Sequence, residues 1–297
     1  MINDQATALR TLARSAAPIH DTDAGTHAST AAMRCLAITS GKGGVGKSNL
    51  TVNLGLELGA MGNRVAILDA DFGLANADLI CGIAPVYHLG HLVTGEKRLD
   101  EIKLNLARNV ELIPGGAGVE ELANYRLEAE SELFSQLHQL ERDTDFMLID
   151  TAAGIAEGVL SVLIAAAEVI VTVTPDPTSI VDAYATIKIL LRNCPDKLVW
   201  VVVNNVVGVG EGDQVFCQIN SAVKNFLKRE VRFLGMIPHD AQLQEAVREQ
   251  VPVSQFAPSS PASRAIRLVA KQLDRQSKTS VASALQTRSF WDHLASS

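Results

Sequence analysis

Residues 41–48 read Gly41-Lys42-Gly43-Gly44-Val45-Gly46-Lys47-Ser48. They fit the pattern G-x-x-x-x-G-K-[ST] and lie between an apolar segment and a helical pattern, which is the context of a phosphate-binding loop. Glycines suit such a loop because successive backbone N–H groups must turn inward around an anion, with positive φ angles that a Cβ atom would penalise. This segment, called the phosphate loop below, therefore predicts a nucleotide site at the start of a helix.

Two side chains at the end of the phosphate loop can act on a bound nucleotide. The ammonium group of Lys47 can reach the β and γ phosphates, and the hydroxyl group of Ser48 can ligate Mg²⁺. The free N–H groups and the dipole of the following helix add to the attraction for phosphate. The loop therefore favours a nucleoside triphosphate with Mg²⁺.

Around the phosphate loop, short aliphatic segments alternate with helical patterns from Arg34 onward. This alternation is typical of an α/β fold with a mostly parallel, twisted sheet and helices on both faces. The predicted strands cover residues 35–39, 64–69, 110–114, 146–150, 169–174, 198–204 and 233–238. The predicted helices cover residues 48–61, 127–141, 178–191, 214–228, 241–249 and 261–273.

The composition excludes several classes of protein. The chain has 297 residues, 47% of them hydrophobic, so it can bury a large core and is neither disordered nor fibrous. Its 26 basic and 33 acidic residues give no basic excess, so we expect no specific nucleic-acid partner. Four cysteines without a C-x-x-C pair predict neither a zinc site nor a disulfide framework, and they fit a cytoplasmic protein.

Three acidic residues follow predicted strands. Asp69 and Asp71 end the second strand, and Asp150 follows the apolar strand at 146–149. Ligands of open α/β sheets bind at the carboxyl ends of the strands, so these carboxylates should face the phosphates. Asp150 has the arrangement of a Walker B acid, which helps to hold Mg²⁺.

The phosphate loop carries a second lysine at its start, in the form K-G-G-x-G-K-[ST]. This form resembles the deviant Walker A motif of the MinD/ParA family of P-loop NTPases, ATPases that dimerise face to face around two nucleotides. The resemblance implies that Lys42 reaches the nucleotide of the opposite subunit, as a catalytic residue beside Lys47. It also implies that Asp71 positions the attacking water, that Asp69 supports the metal, and that Asn76 belongs to the same nucleotide-contacting segment.

The base is expected to be adenine. The sequence contains no Asn-Lys-x-Asp motif of the kind that guanine-specific GTPases use. Asn204 and the turn containing Pro238 and Asp240 resemble the family segments that flank adenine. Asn205 is the adjacent alternative to Asn204, and the sequence leaves that choice open.

Several longer segments are similar to one branch of the family, the flagellar number regulators known as FlhG or FleN. These segments are residues 69–78, 150–155 and 175–184, and Asn49 after the phosphate loop also fits this branch. The similarity spans most of the chain from residue 34 to residue 272. It implies an ATP-dependent dimerisation switch that hydrolyses Mg-ATP and regulates flagellar number or placement. It further implies the GTPase FlhF, flagellar switch-complex proteins and a flagellar transcriptional activator as partners.

The N-terminal segment resembles an element of the same branch. Residues 4–10 match the pattern D-Q-A-x-x-L-R, with which FlhG stimulates FlhF. The resemblance implies partner contacts by the five matching residues Asp4, Gln5, Ala6, Leu9 and Arg10. The expected organisation is therefore an activator helix and linker at 1–33, an ATPase domain at 34–275, and a C-terminal tail at 276–297.

The tail and the rival functions stay open at this stage. Leu285, Phe290, Trp291 and Leu294 form a fragmentary apolar face with few cations, which suits a membrane surface, a docking segment or a disordered end equally. We expect a cytoplasmic protein, with peripheral contact at the inner membrane face or the cell pole as an option. The alternatives are a ParA-type partition or other MinD-like positioning ATPase, a non-hydrolysing adaptor, and an iron–sulfur electron-transfer ATPase using Cys81.

Overall fold

The computed structural model describes residues 33–71, 76–115, 132–278 and 289–296. Within these residues an eight-stranded sheet has the strand order β3-β4-β2-β5-β1-β6-β7-β8. The strands are β1 (Arg34–Thr39), β2 (Val65–Ala70), β3 (Leu104–Ala107), β4 (Val110–Ile113), β5 (Phe146–Thr151), β6 (Glu168–Val173), β7 (Leu198–Val206) and β8 (Arg232–Pro238). All neighbouring strands pair in parallel except β3 and β4.

Helices cover both faces of this sheet. They are α1 (Lys47–Ala60), α2 (Ala77–Ile80), α3 (Leu89–Val93), α4 (Leu99–Ile102), α5 (Glu132–Asp143), α6 (Glu157–Ala165), α7 (Pro177–Asn193), α8 (Glu211–Leu227), α9 (Ala241–Arg248), α10 (Val253–Phe256), α11 (Pro261–Lys278) and α12 (Phe290–Ser296). Apolar side chains of α1, α9 and α11 share one core with the sheet, and those of α5 to α8 and α12 share the other. The predicted fold is confirmed.

The central strand β1 explains why the phosphate loop lies in the middle of the sheet. Its side chains alternate between the two cores, with Leu36 and Ile38 in one and Cys35 and Ala37 in the other. A strand that is buried on both faces is mainly apolar, and here all six residues are buried, with the two polar residues, Arg34 and Thr39, at its ends. Because β1 lies between β5 and β6, the loop that follows it opens at the carboxyl edge beside both neighbours.

Several elements differ from the sequence-based expectation, and the short helices α2, α3, α4 and α10 were not predicted. The antiparallel edge strand β3 was not predicted, because its four residues are too short for a clear pattern. Helix α6 was missed because residues 159–173 form one nearly continuous apolar run, in which periodicity cannot separate a helix from the following strand. Helix α8 also begins three residues before the predicted start. Of the predicted helix at 127–141, which corresponds to α5, residues 127–131 lie outside the described part of the chain.

The described end of the chain is docked on the domain. Helix α11 continues to Lys278, and α12 packs against α5 and α6. Phe290 and Trp291 are only 3% and 2% exposed. The carboxylate of Glu141 accepts hydrogen bonds from the Ser289 hydroxyl and the Phe290 backbone N–H, at 2.8 and 2.9 Å. Of the three options considered for the tail, a membrane-binding, a docking or a disordered segment, this arrangement corresponds to a docking segment.

Candidate nucleotide site

The phosphate loop joins the end of β1 to the first turn of α1. Gly44 and Gly46 adopt the positive φ angles expected for it, 75° and 92°. Gly46 is the N-cap of α1, and it has no side chain that could accept hydrogen bonds from the N–H groups of the first turn. The N–H groups of that turn can therefore bind an anion, as helix N-termini in phosphate loops do.

Close packing also requires glycine at two positions of this loop. A Cβ atom on Gly46 would collide with the side-chain amide of Asn204 on β7, and one on Gly41 would collide with the backbone carbonyl of Asp182 on α7. By contrast, no described atom lies within 4 Å of the places that Cβ atoms of Gly43 and Gly44 would take. The loop is thus held tightly at both ends and faces open space in its middle, where phosphate groups fit.

Asp150 lies at the centre of the acidic group. It is the cross-strand neighbour of Asp69 in the parallel pairing of β2 with β5. Burial raises the pKa of Asp150 to about 7, and nearby Asp69 adds to the rise, whereas a hydrogen bond from Ser48 and the charge of Lys47 oppose it. The carboxyl group is therefore poised to gain or lose a proton near neutral pH.

The oxygens of Asp150 indicate what it can hold. The Thr51 hydroxyl donates to the Lys47 carbonyl oxygen at 2.9 Å and lies 3.4 Å from Oδ1 of Asp150, and among the described residues Oδ2 has no hydrogen-bond partner. A buried carboxylate oxygen without a partner is costly unless a ligand or ion satisfies it. Together with the Ser48 hydroxyl it fits Mg²⁺, which binds hard oxygen ligands and here would neutralise phosphate charge.

Asp69 fixes the segment that follows β2. Its Oδ1 accepts a hydrogen bond from the Asp71 backbone N–H at 3.0 Å, and its Oδ2 accepts from the N–H groups of Asn76 and Ala77, both at 3.2 Å. Burial raises the pKa of Asp69 to about 6, although these three hydrogen bonds lower it. Asp69 therefore holds both ends of the segment on which Asp71 and Asn76 lie, in addition to its expected support of the metal.

The two lysines of the phosphate loop occupy different environments. Lys47 is 7% exposed and lies near Asp150, whose pKa its charge lowers. The side chain of Lys42 is 43% exposed, and its Nζ atom donates a hydrogen bond to the Thr178 hydroxyl at 2.7 Å. It also lies 3.5 Å from Oδ2 of Asp176, the N-cap residue of α7. The first lysine thus contacts a neighbouring helix at the edge of the site.

The residues expected near adenine all have defined structural contacts. The Asn204 side-chain amide donates a hydrogen bond to the carbonyl oxygen of Val45 at 2.7 Å. Asn205 has a φ angle of 62°, and its Oδ1 atom lies 2.8 Å from Nδ1 of His239. Pro238 is the last residue of β8. Asp240 caps α9, with its carboxylate accepting from the N–H groups of Gln242 and Ala262, both at 2.9 Å. Which asparagine contacts adenine remains a prediction.

Two hydroxyl residues of the site were not predicted from the sequence. Thr51 lies one helical turn after Lys47 and reaches Asp150, a spacing that could have identified it. The Ser40 hydroxyl donates to the Lys42 carbonyl oxygen at 2.7 Å, and the Ser40 carbonyl oxygen accepts from the Gly154 N–H at 2.9 Å. Ser40 therefore connects the phosphate loop to the loop after Asp150, which sequence alone gave no reason to expect.

Some expected residues lie outside the described part of the chain. Residues 72–75 follow Asp71, and residues 1–32 include the segment expected to bind a partner. Leu285 of the tail is also outside it. Asn49 lies in the first turn of α1, where its carbonyl oxygen accepts from the Asn53 side chain at 2.8 Å.

Comparison with known proteins identifies the family. The sequence profile described as "ParA: NUBPL iron-transfer P-loop NTPase" matches residues 31–274. The chain belongs to the ParA family of P-loop NTPases. Among curated ParA relatives, the antiactivator FleN of Pseudomonas aeruginosa is 36% identical over 242 residues, which cover 82% of this chain and 86% of that protein. The flagellum site-determining protein YlxH of Helicobacter pylori is 37% identical over 237 residues, covering 79% of this chain and 80% of that protein.

Solved structures of ParA relatives have the same fold. A chain of the MinC:MinD cell division protein complex of Aquifex aeolicus superimposes with a TM-score of 0.67 at 27% identity, covering 82% of this chain and 96% of that chain. The septum site-determining protein MinD of Pyrococcus horikoshii complexed with Mg-ADP gives a TM-score of 0.65 at 23% identity, covering 86% and 100%. The expected family and its similarity to the flagellar branch are confirmed.

Two further observations bear on the other options for this ParA protein. None of the helices in the described ranges combines the length and the apolar content needed to cross a membrane. Burial, with the nearby charge of Asp78, raises the pKa of the Cys81 thiol to about 12. In this environment the Cys81 thiol is held in its neutral form.

Proposed function

We propose that this chain is an ATPase that dimerises when it binds ATP and regulates flagellar number or placement. The observation that carries the proposal is the contrast between the two lysines of the phosphate loop. Lys47 is buried beside Asp150, whereas Lys42 stays 43% exposed at the edge of the site. A cation so placed is accessible to a second copy of the chain.

Exposed apolar side chains at the same edge support a dimer. Ile155, Val181, Val207 and Val209 are 42%, 65%, 80% and 108% exposed. Each belongs to the segment that follows the carboxyl end of a parallel strand, as the phosphate loop does. An association surface at this edge would bury these four apolar side chains, as contiguous apolar patches on proteins usually do in their complexes.

In the proposed reaction the phosphates of ATP bind the N–H groups at the start of α1 and the ammonium of Lys47. Ser48 and Asp150 would hold Mg²⁺, which neutralises phosphate charge. Asp71 orients the attacking water, and Asp69 keeps Asp71 in place through its backbone hydrogen bond. Lys42 of a second copy stabilises the charge that develops on the phosphates, so hydrolysis requires the dimer.

The flagellar role rests on the relatives. Proteins named antiactivator FleN and flagellum site-determining protein YlxH match about four fifths of this chain. A regulator of this branch would act on an FlhF-like GTPase through residues 4–10, on switch-complex proteins and on a flagellar transcriptional activator. Peripheral contact with the inner membrane face would require Phe290 and Trp291 to leave their buried positions.

The test measures ATP turnover against protein concentration. If the dimer is the active form, phosphate release per subunit should rise with protein concentration and then level off. Lys42→Ala should abolish this rise, whereas Lys224→Ala, at an exposed lysine on α8, should leave it unchanged. Turnover per subunit that is independent of concentration, or unaffected by Lys42→Ala, contradicts the proposal.

A ParA-type partition ATPase is the second candidate, because α11 carries a basic face. Arg264, Lys271 and Arg275 are exposed and lie at positions that place them on one side of this helix. Such a face could bind the phosphate backbone of DNA, with an affinity that falls steeply with salt. Salt-sensitive retention on random-sequence DNA in the presence of ATP, lost in Lys271→Glu, would favour this candidate.

A further inference from the structure

A row of exposed side chains runs along the outer side of α11. It consists of Arg264, Leu268, Lys271 and Arg275, all of which are exposed. Their spacing along the sequence places them within about 60° of one another around the helix axis. This row, called the α11 stripe below, therefore presents an apolar side chain between cations.

The helix that carries the α11 stripe is held firmly by the domain. The guanidinium group of Arg267 donates two hydrogen bonds to the carboxylate of Glu57 on α1, at 2.8 and 3.0 Å. At the start of α11, Oδ2 of Asp240 accepts a hydrogen bond from the Ala262 backbone N–H at 2.9 Å. Because these contacts fix the helix, a ligand of the α11 stripe would have little order to impose on it.

Two cations of the α11 stripe lack a carboxylate partner among the described residues. Arg267 is paired with Glu57, but neither Arg264 nor Lys271 forms an ion pair within the described part of the chain. The whole chain has 33 acidic and 26 basic residues, so this concentration of positive charge is a local exception. A surface of this sign attracts carboxylates or phosphates.

The exposed leucine distinguishes between these two kinds of ligand. Leu268 is 66% exposed and lies one helical turn from both Arg264 and Lys271. The backbone of a nucleic acid offers phosphate oxygens to the cations but no apolar surface to the leucine. An amphipathic helix with carboxylates on either side of an apolar residue satisfies all three side chains, since such helices dock through anchors spaced three or four residues apart.

We propose that the α11 stripe is a docking surface for an acidic, amphipathic helix of a partner protein. The partner helix places an apolar residue on Leu268 and the flanking carboxylates on Arg264 and Lys271. These two cations are about 10 Å apart along the axis of α11, so the matching pattern is E-x-x-L-L-x-x-E. The inference does not depend on the proposed dimer, because the α11 stripe contains no residue of the nucleotide site.

The experiment uses the isotope-labelled full chain and follows the backbone amide signals of α11 by NMR. The probe is an alanine-rich helical peptide that contains E-x-x-L-L-x-x-E, added up to about 1 mM. We expect these signals to shift with a submillimolar dissociation constant. Lys271→Glu should raise that constant by at least about threefold, because attraction becomes repulsion. One of the two peptides in which a single glutamate is replaced by lysine should then restore the binding.

Two further variants test the leucine and control for the changes. Leu268→Ala should raise the dissociation constant by about threefold or more, because less apolar surface is buried. Lys224→Glu, at an exposed lysine on α8, and Leu79→Ala, at a leucine that is 54% exposed, should bind the peptide as the parent does. The thermal unfolding midpoint of each variant checks its folding.

Weaker binding by both Lys271→Glu and Leu268→Ala, with the two control variants unchanged, is the expected result. If the peptide leaves the amide signals of α11 unshifted, or binds Lys271→Glu as well as the parent, the inference is overturned. Random-sequence duplex DNA and phosphatidylglycerol vesicles are titrated in the same way, since both also bind basic surfaces. Tighter binding of either one than of the peptide, unaffected by Leu268→Ala, overturns the inference as well.

Discussion

The side-chain amide of Asn204 donates a hydrogen bond to the carbonyl oxygen of Val45 at 2.7 Å. This contact joins the end of β7 to the middle of the phosphate loop, over 159 residues of sequence. It also explains the glycine at position 46, because a Cβ atom there would collide with the same amide. The carboxyl end of β7 and the phosphate loop are therefore one structural unit.

Gly46→Ala should weaken nucleotide binding as well as lower the stability of the domain. The φ angle of 92° would cost an alanine about 1–2 kcal/mol, and the new methyl group would displace Asn204 from Val45. We expect at least a tenfold loss of ATP affinity, measured by calorimetry, from about 1.4 kcal/mol of lost interaction.

Gly62→Ala provides the matched control for that change. Gly62 has a φ angle of 95°, but no described atom lies within 4 Å of its missing Cβ. The control variant should lose similar stability and keep its ATP affinity. Equal ATP affinities in the two variants would show that the contact between the phosphate loop and Asn204 has no role in binding.

Asp71→Ala should bind ATP and fail to hydrolyse it. The side chain is expected to orient the attacking water, whereas the phosphate contacts are expected to come from α1 and Lys47. We expect phosphate release to fall by at least about a hundredfold with little change in ATP affinity. A variant that releases phosphate at the parent rate removes Asp71 from the mechanism.

Stabilisation by Mg-ADP should grow as the pH rises. The pKa of Asp150 in the folded protein is about 7, above its value in the unfolded chain. Without metal, the folded protein therefore binds more protons than the unfolded chain does, and it loses stability as the pH rises toward neutrality. Mg²⁺ needs the carboxylate form, whose population rises about tenfold between about pH 6 and pH 8. The Mg-ADP shift in unfolding temperature should therefore be larger at the higher pH.

Asp150→Asn separates this effect from the titration of the nucleotide itself. The variant cannot titrate at position 150, so the part of the pH dependence that it retains belongs to other groups. Parent and variant curves with the same pH dependence would exclude Asp150 as the titrating residue.

Trp291→Ala should destabilise the domain, because its indole is buried between α12 and the helices beneath it. Removal of a buried Trp side chain costs about 3–5 kcal/mol in the free energy of unfolding. Phe226→Ala, at an aromatic residue that is 76% exposed, should change it by less than about 0.5 kcal/mol. If urea unfolding gives equal values for both variants, α12 is not docked in solution.

Deletion of residues 1–10 should leave the ATPase activity unchanged and abolish stimulation of an FlhF-like GTPase. The segment lies outside the ATPase domain in sequence, so its loss removes no residue of the nucleotide site. The measurement is GTP hydrolysis by the partner alone, with the full chain and with the chain that lacks residues 1–10. Undiminished stimulation by the shortened chain would refute the partner-binding role of this segment.

Local signals made the site largely predictable from the sequence. The phosphate loop depends on a short pattern of glycines and lysines, and Asp69 and Asp150 follow strands that are apolar enough to recognise. Because parallel strands place their carboxyl ends at one edge of the sheet, the sequence alone predicts that these acids lie close together. The structure adds that they are direct cross-strand neighbours.

Contacts between distant segments could not be predicted in the same way. Lys42 and Thr178 are 136 residues apart, and nothing in the phosphate loop specifies which helix lies beside it. The same is true of Phe290 and Trp291, which are buried by α5 and α6. Their aromatic pattern fitted a membrane surface and an internal groove equally, because both are apolar environments.

In the proposed function, ATP assembles two copies of this chain around their nucleotides. Sedimentation velocity of the Asp71→Ala protein, with Mg-ATP, with Mg-ADP and without nucleotide, tests it most directly. We expect a two-subunit species with Mg-ATP only, which disappears when Lys42→Ala is added. A single subunit under all three conditions, with ATP demonstrably bound, would contradict it.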